Sequence, residues 1–553
     1  MGCHNSEDTI PAKVATAPST LVAQVDPGPV HFVDVAKKLG LNHEWPQQPR
    51  PMRTPDAFGS GCAFLDFDQD GWQDVLLVCN PHPKLYRNVA GTKFEDVTLE
   101  CGLTKIDGNW TGCAVGDYDG DGLPDMLLTG IHCLALFKNM AGNRFEETTV
   151  AAGLDRLNHG HWGASAGFMD LDGDQHLDLV ILNYVAFGPE SKQYCVDATG
   201  VRSGCPPYEY PAEFGEIWRN TGQGRFEVLP QSAGMAQTQG VGLVLAFTDL
   251  DKDGRMDFYI GNDAKYADLM HNLGGMRFEN IGHASGVAAM KFNNNFTPMA
   301  AMGADFADYD RDGRLDLTVT NFQELCFTIF RNMGDSFFSD VGGPTGISAA
   351  TRDRLGFGAK WLDLDNDAWP DICFVNGHVY DNAAAIAKDH TFRQSLMLFH
   401  NLRGEKFVDI VPDLSEDVGR PLVGRGSATG DFNNDGLTDL LIVDFEGAVM
   451  LLKNCTQNEN HWITFDLRGQ APNVLAYGAK VTARVGDQVW VLEVSPTSSY
   501  LSASDPRIHF GLGKVSKLET VSIRWPDGGE EVLTEVATDQ ILRVFQGAST
   551  ARQ

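Results

Sequence analysis

Short apolar runs of four or five residues punctuate the chain, among them Val75-Leu-Leu-Val78, Leu179-Val-Ile-Leu182 and Leu440-Leu-Ile-Val443. Their length and the turn residues flanking them predict buried β-strands. Each run follows an Asp/Gly-rich stretch, and before that stretch lies a glycine-containing segment of small and apolar residues, opened for instance by Phe58-Gly59, Trp162-Gly163 or Phe357-Gly358. That segment predicts a second strand, so each Asp/Gly-rich stretch joins the two strands of a hairpin.

Downstream of each hairpin an aromatic or apolar residue leads to an asparagine: Tyr86-Arg-Asn88, Phe137-Lys-Asn139, Trp218-Arg-Asn220, Met270-His-Asn272, Phe330-Arg-Asn332, Phe399-His-Asn401 and Leu452-Lys-Asn454. Six of these pass through a glycine turn into a Phe-containing strand such as Lys93-Phe-Glu-Asp-Val97. The seventh does not, and the missing segment stands instead at the front of the chain as His31-Phe-Val-Asp-Val35. Seven four-stranded units, circularly permuted by one strand, are what a closed ring needs, because closure leaves no unpaired edge. An open solenoid would have no use for the offset and would need caps. The expected fold is therefore all-β: a seven-bladed β-propeller over 30–456, with 30–36 completing the last blade, then a small β-rich C-terminal domain over 457–548. Residues 1–29, rich in Ala, Pro, Ser and Thr, read as a flexible stalk and 549–553 as a tail.

The stretch inside each hairpin carries the chemistry. One nine-residue pattern, D-x-[DN]-x-D-x-x-x-D, occurs seven times, with successive starts 51, 53, 79, 59, 55 and 68 residues apart. The candidate ligands are Asp66, Asp68, Asp70 and Asp74; Asp117, Asp119, Asp121 and Asp125; Asp170, Asp172, Asp174 and Asp178; Asp249, Asp251, Asp253 and Asp257; Asp308, Asp310, Asp312 and Asp316; Asp363, Asp365, Asp367 and Asp371; and Asp431, Asn433, Asp435 and Asp439. Side chains at positions 1, 3 and 5 of a tight loop converge on one point, a carbonyl at 7 can join them, and a carboxylate at 9 closes the cage. An all-oxygen set of that size suits Ca²⁺. Carboxylates about 5 Å apart repel by roughly 3 kcal/mol per pair at an effective dielectric near 20, a strain that a divalent cation removes. The bland alternative is an Asp/Gly turn with no metal. An EF-hand is excluded, since position 12 is Leu77, Leu128, Ile181, Ile260, Val319, Phe374 or Ile442 where that motif needs glutamate. Gln175 and Ala368 stand where the other loops have a sixth-position glycine, so the sites at Asp170 and Asp363 are expected to be weaker.

Composition follows from these loops. The 553 residues carry 43 basic and 74 acidic side chains, a net charge of −31, and the loops hold 27 of the acids; without them the charge would be −4. The acidity counts one kind of site and argues against nucleic acid as a partner. No apolar stretch is long enough for a transmembrane helix, so no span is expected.

At this point the chain resembles the FG-GAP/VCBS repeat propellers, the class that includes integrin alpha-subunit heads, through its Phe-Gly segments and seven aspartate loops. In the tail, Gly478-Ala-Lys-Val481, Ser499-Tyr-Leu-Ser502, His509-Phe-Gly-Leu-Gly513 and Trp525-Pro-Asp-Gly528 look like the ASPIC/UnbV domain of the cartilage acidic protein family and its bacterial relatives. Asn376-Gly-His-Val379 and the insertion from Cys195 to Cys205 are similar to features of the bacterial members. The resemblance implies a secreted or envelope-attached protein, and little about its activity.

Gly2-Cys3 matches the end of a lipoprotein cleavage box, making Cys3 a candidate lipid anchor, although Met1 to Ser6 also fits a loose myristoylation pattern. Apart from Cys3 ten cysteines remain, an even number suited to an oxidising compartment, with Cys195–Cys205 the best disulfide and Cys62 and Cys113 buried thiols. His159-Gly-His161 reads as loop in preference to a transition-metal pair, and His378 and His509 have no evident partner. The sequons at Asn109, Asn295 and Asn454 are discounted. No nucleophile elbow, zinc-protease motif or phosphate loop occurs, so no catalytic residue is assigned. The expected function is a non-enzymatic binding or adhesion module for a glycan or protein partner, with 184–212 and 376–394 as contact regions and Tyr194, Tyr208, Tyr210 and Phe214 as an aromatic patch. The rivals are a polysaccharide-active or other envelope enzyme using the propeller channel, and an accessory role in a biosynthetic pathway.

Overall fold

The computed structural model describes residues 30–154, 160–197, 200–292 and 295–548. Cys3 and His159 lie outside the described residues. The described chain is all-β, with helical pieces of no more than five residues. Seven antiparallel sheets share one plan, in which each strand pairs with the next in sequence. The first is built from Cys62–Leu65, Asp74–Leu77, Lys84–Asn88 and Phe94–Asp96. The last uses Gly424–Gly430, Asp439–Asp444 and Met450–Asn454, and its fourth strand is Phe32–Asp34 from the other end of the chain, in register Phe32 to Asn454.

The apolar runs are buried on both faces, which is why they do not alternate: Val75, Leu76, Leu77 and Val78 are all fully buried, as are Leu440 to Val443. One face packs on the preceding sheet and the other on the next. The first strands of consecutive sheets touch in order round the molecule, and Gly424–Gly430 of the last touches Cys62–Leu65 of the first.

Six of the seven sheets are tied to the preceding one by the asparagine of the repeated triplet, whereas Asn332 Nδ2 donates to Leu315 O of its own loop. Asn88 Nδ2 donates to Phe432 O at 2.7 Å, Asn139 to Phe67 O, Asn220 to Tyr118 O, Asn272 to Leu171 O, Asn401 to Tyr309 O and Asn454 to Leu364 O. In every case the acceptor is the second residue of the preceding sheet's loop. The bond from Asn88 to Phe432 joins the first sheet to the last. All seven asparagines are buried, so the framework assignment of Asn454 holds and its sequon is inaccessible.

The C-terminal segment forms two further sheets, one of three strands around His461–Arg468 and one of four around Lys480–Val485, but it does not stand apart. A hairpin, Thr497–Ser498 with Ser502–Ala503, enters the centre of the ring of first strands. Cys113 N donates to Leu501 O, Ser499 N to Ala304 O, and Asp505 N to Thr429 O. Ser502 Oγ accepts from Cys62 N at 3.1 Å, Ser499 Oγ from Ala359 N at 3.3 Å, and Ser498 Oγ from Lys360 Nζ at 2.6 Å. Thr497 approaches Gly167, and its strand touches Gly242–Thr248, so all seven sheets meet the hairpin. Tyr500 and Leu501 at its tip are fully buried. The centre of the ring, the channel invoked for an enzyme, is filled by the protein itself.

This seating depends on a missing side chain. A Cβ on Gly61 would lie 1.8 Å from Leu501 O, a backbone atom that cannot swing away. Gly61→Ala should therefore lower stability by about 3 kcal/mol. Gly188→Ala, where a Cβ meets nothing within 4 Å, should stay within about 0.5 kcal/mol of the parent. Equal denaturation midpoints for the two variants would refute the seating.

Candidate metal loops

The seven aspartate loops have one geometry. The first aspartate accepts the N–H of the sixth residue in every loop, at 2.8 to 3.2 Å. The fifth-position side chain accepts the N–H of the seventh residue, again at 2.8 to 3.2 Å. These bonds curl the backbone so that the sixth residue takes a left-handed conformation, φ 71° at Gln175 and 81° at Ala368. A non-glycine residue there costs about 1 kcal/mol, the physical basis for expecting weaker sites in loops three and six.

The ninth aspartate is more than a cage wall. Its Oδ2 accepts the N–H of the loop's second residue at 2.8 to 3.2 Å. Its Oδ1 accepts the backbone N–H of the triplet asparagine at 2.6 to 2.8 Å. Except for Oδ1 of Asp257 and Asp371, which also meet the His271 and His400 rings, each oxygen keeps a second lone pair, so the group can hold the fold and still face a cation. One ligand atom from each of Asp117, Asp119 and Asp125 lies within 4.8 Å of the others, as for Asp170, Asp172 and Asp178, and for Asp249, Asp251 and Asp257. Asp66, Asp68 and Asp70 cluster likewise, and Asp365 and Asp371 cluster with His400.

The donor sets fit a divalent cation. Oδ1 of Asp66, Asp68, Asp119, Asp249, Asp310 and Asn433 is buried with no hydrogen-bond partner, and each belongs to a first or third position. A buried acceptor left unpaired is costly, and these six fall at the two loop positions whose side chains would face a cation. In loops three and six no such oxygen occurs among the described residues.

The sequence reading missed the residue before each asparagine. It is Arg87, Lys138, Arg219, His271, Arg331, His400 or Lys453, always basic, and each reaches its own loop. Arg87 pairs with Asp68 at 2.9 Å, Arg219 with Asp172 at 2.6 Å, Arg331 with Asp310 at 2.5 Å, His271 with Asp257 at 3.1 Å, His400 with Asp371 at 3.3 Å and Lys453 with Asp435 at 3.1 Å; Lys138 contacts Asp119 and Asp121. At the five Arg and Lys positions a tethered cation thus offsets part of the charge of the loop. The signal was a basic side chain at one register position.

The C-terminal segment sits on this end of the ring. Arg524 pairs with Asp249, Arg507 donates to Asp431 O and to Asn434 Oδ1 at 2.8 Å, and His509 Nε2 bonds Asn366 Oδ1 at 2.8 Å. His509 therefore has two partners, the other being Thr464 Oγ1. A Cβ on Gly511 would lie 2.0 Å from Asp363 Oδ2, so the His509–Gly513 motif is shaped to loop six.

At the opposite end the two insertions meet: Asn382 Nδ2 donates to Arg202 O at 2.8 Å. The Cys195 and Cys205 sulfurs are bonded, with Cα atoms 4.9 Å apart, while Cys62 and Cys113 are buried thiols. The expected aromatic patch needs correction. Tyr208 and Phe214 are exposed, but Tyr210 is buried because its hydroxyl bonds Thr54 Oγ1 and Lys192 O, and Tyr194 lies under the Arg202 guanidinium.

Burial pushes the loop carboxyls up, against the lowering effect of the backbone donors: Asp66, Asp117, Asp170 and Asp431 to about 6, Asp125 to about 8 and Asp74 to about 9. In the unfolded chain these groups titrate near 3.8. The folded metal-free protein therefore holds more protons than the unfolded one between these limits, and loses stability as pH rises from about 4 through 6 to 8. Melting in EDTA should accordingly be lower at pH 8 than at pH 5.5. A higher melting temperature at pH 8 would contradict the assignment.

Comparison with known proteins follows the same division. Residues 66–128 and 249–319 match the family described as FG-GAP-like repeat, and 469–551 the family described as ASPIC and UnbV. Cartilage acidic protein 1 of Mus musculus is 24% identical over 527 residues, 89% of this chain and 74% of that protein; its Homo sapiens counterpart is 24% identical over 89% and 72%. Among solved structures, an Agrocybe aegerita lectin that recognises non-reducing terminal N-acetylglucosamine is similar at TM-score 0.38 and 17% identity, over 70% of this chain and 86% of that one. A Bacillus licheniformis rhamnogalacturonan lyase is similar at TM-score 0.31 and 10% identity, over 75% and 92%. The chain thus carries FG-GAP-like repeats followed by an ASPIC and UnbV domain, and it is related over most of its length to cartilage acidic protein 1.

Proposed function

We propose that the seven sheets are the blades of a closed, calcium-loaded propeller over 30–456, capped and plugged by the 457–548 domain, and that the whole is a non-enzymatic binding or adhesion module. The observation that carries this reading is the filled centre. The Tyr500 hairpin occupies the middle of the ring, and what remains for a macromolecular partner is the outer surface. Exposed Tyr208 and Phe214 on the insertions are the side-chain type that anchors a glycan or protein contact.

Calcium is the cation that the all-oxygen loops favour, and the paired Cys195 and Cys205 suit an oxidising, calcium-rich exterior. Residence outside the cytoplasm, secreted or held at the envelope, follows from both. Among the described residues no helix is long and apolar enough to cross a membrane.

At millimolar calcium and site constants near 0.1 mM, each loop would add about 1.4 kcal/mol. EDTA should lower the melting temperature sharply, with the loops at Asp170 and Asp363 losing calcium first in a titration; an unchanged melt removes calcium from the account. The binding reading is checked by passing the calcium-loaded protein, with an EDTA control, over immobilised polysaccharides and matrix proteins. Retention without fragments is expected. Released fragments would establish an enzyme.

A further inference from the structure

The end of the ring away from the aspartate loops holds a cavity of about 590 Å³. Its place follows from topology. Its wall residues precede first strands, as Ala300 and Met302 do, or follow second strands, as Tyr184, Asp263, Phe322 and Tyr380 do, whereas the loops join first strands to second. The volume lies within the range of small-molecule sites, roughly 300 to 1,000 Å³.

The wall is aromatic and held in place. Phe58, Tyr184, Phe322, Phe357, Tyr380 and Tyr500 contribute to it. Phe58 packs on Tyr184 with centroids 5.1 Å apart, and Phe357 on Tyr500 at 4.8 Å. Tyr500 also donates to Phe58 O at 2.9 Å, so the hairpin that fills the ring supplies the floor.

Into this surface Asp263 brings the one carboxylate of the wall. Its Oδ2 accepts the Tyr184 hydroxyl at 2.7 Å, and among the described residues its side chain has no other hydrogen bond and no cationic partner. Two arginines lie near, and both are engaged elsewhere. Arg53, at the wall, is held by both oxygens of Asp56, at 2.8 and 2.7 Å. Arg425 lies behind Phe357, 4.0 Å from that ring's centroid, and bonds the carbonyls of Ala57, Gly377, Gly424 and His378.

A carboxylate facing an apolar cavity without a counter-ion is costly. Burial pushes this one up to about 6, which leaves it ionised in neutral solution. The partner that relieves it best is a cation whose body is apolar, and the faces of aromatic rings attract the same charge. A neutral polyol could stack on the rings but would leave the carboxylate without a counter-charge, and an anion would be repelled by it.

We propose that this cavity is a binding site for a small organic cation, an ammonium group on an apolar or aromatic body, with Asp263 as counter-ion and the surrounding rings as cage. The cavity shares Tyr208 with the partner surface proposed above, but its test reads Asp263 and ligand charge alone, so a failure of either proposal is distinguishable from a failure of the other.

Calorimetry on the full chain with phenethylammonium and benzyltrimethylammonium tests it, against 2-phenylethanol, phenylacetate and glucose. Both cations are expected to bind saturably and at least tenfold more tightly than 2-phenylethanol, with no binding of phenylacetate or glucose. Asp263→Asn should weaken the cations at least tenfold and abolish their advantage over the alcohol, with the melting temperature of the ligand-free protein unchanged. No saturable binding of either cation, equal affinity for cation and alcohol, or a cation preference that survives Asp263→Asn overturns the proposal. If the variant does not fold, the charge series on the parent protein decides alone.

Discussion

The buried carboxylate at the ninth position of each loop is the constraint on which the architecture rests. With one oxygen it holds the second residue of the loop, and with the other it holds the triplet asparagine on the third strand. The first hairpin, the third strand and the loop thereby become one body. In six of the seven sheets the asparagine then spends its side chain on the loop of the preceding sheet, so a bond internal to one sheet sets the position from which the next bond is made. Hydrophobic burial gives the sheets a reason to stack, but it is non-directional. The chain of Asp-to-Asn-to-neighbour bonds is directional and fixes the register round the ring.

That arrangement explains why one end of the molecule is so acidic and how the acidity is managed. Each loop gathers three or four acids where the backbone turns back on itself. Part of their charge is met by the basic residue beside the asparagine, part by backbone N–H groups, and in loop four also by Arg524 from the C-terminal segment. The C-terminal segment is therefore docked on the candidate metal loops and not merely next to them. The packing of this segment uses the loop carboxylates themselves, with Arg524 on Asp249 and Gly511 closed against Asp363.

Much of this was legible in the sequence, because it is local and repeated. The loops, the asparagines and the displaced strand at Phe32 each announce themselves by spacing, and repetition turns a weak pattern into a strong one. The basic residue beside each asparagine was equally visible and was passed over, since Arg, Lys and His share a charge but no letter. What could not be read was the hairpin around Tyr500. Thr497 to Ala503 has no periodicity, and its burial comes wholly from contacts with strands far away in the chain. The same holds for Tyr210, which looks like a surface ring until Thr54 and Lys192 are brought to its hydroxyl.

The plugged centre has a bearing on how the molecule comes to exist. Its ring is closed by a strand from near the start of the chain pairing with one from near residue 454, and its middle is filled by residues that follow later still. Sheets can form one by one as the chain is made, but none of them can acquire its final inner surface until the hairpin is present. The order of the chain therefore makes residues 497–503 the last piece of the inner surface to be available, and every sheet depends on it.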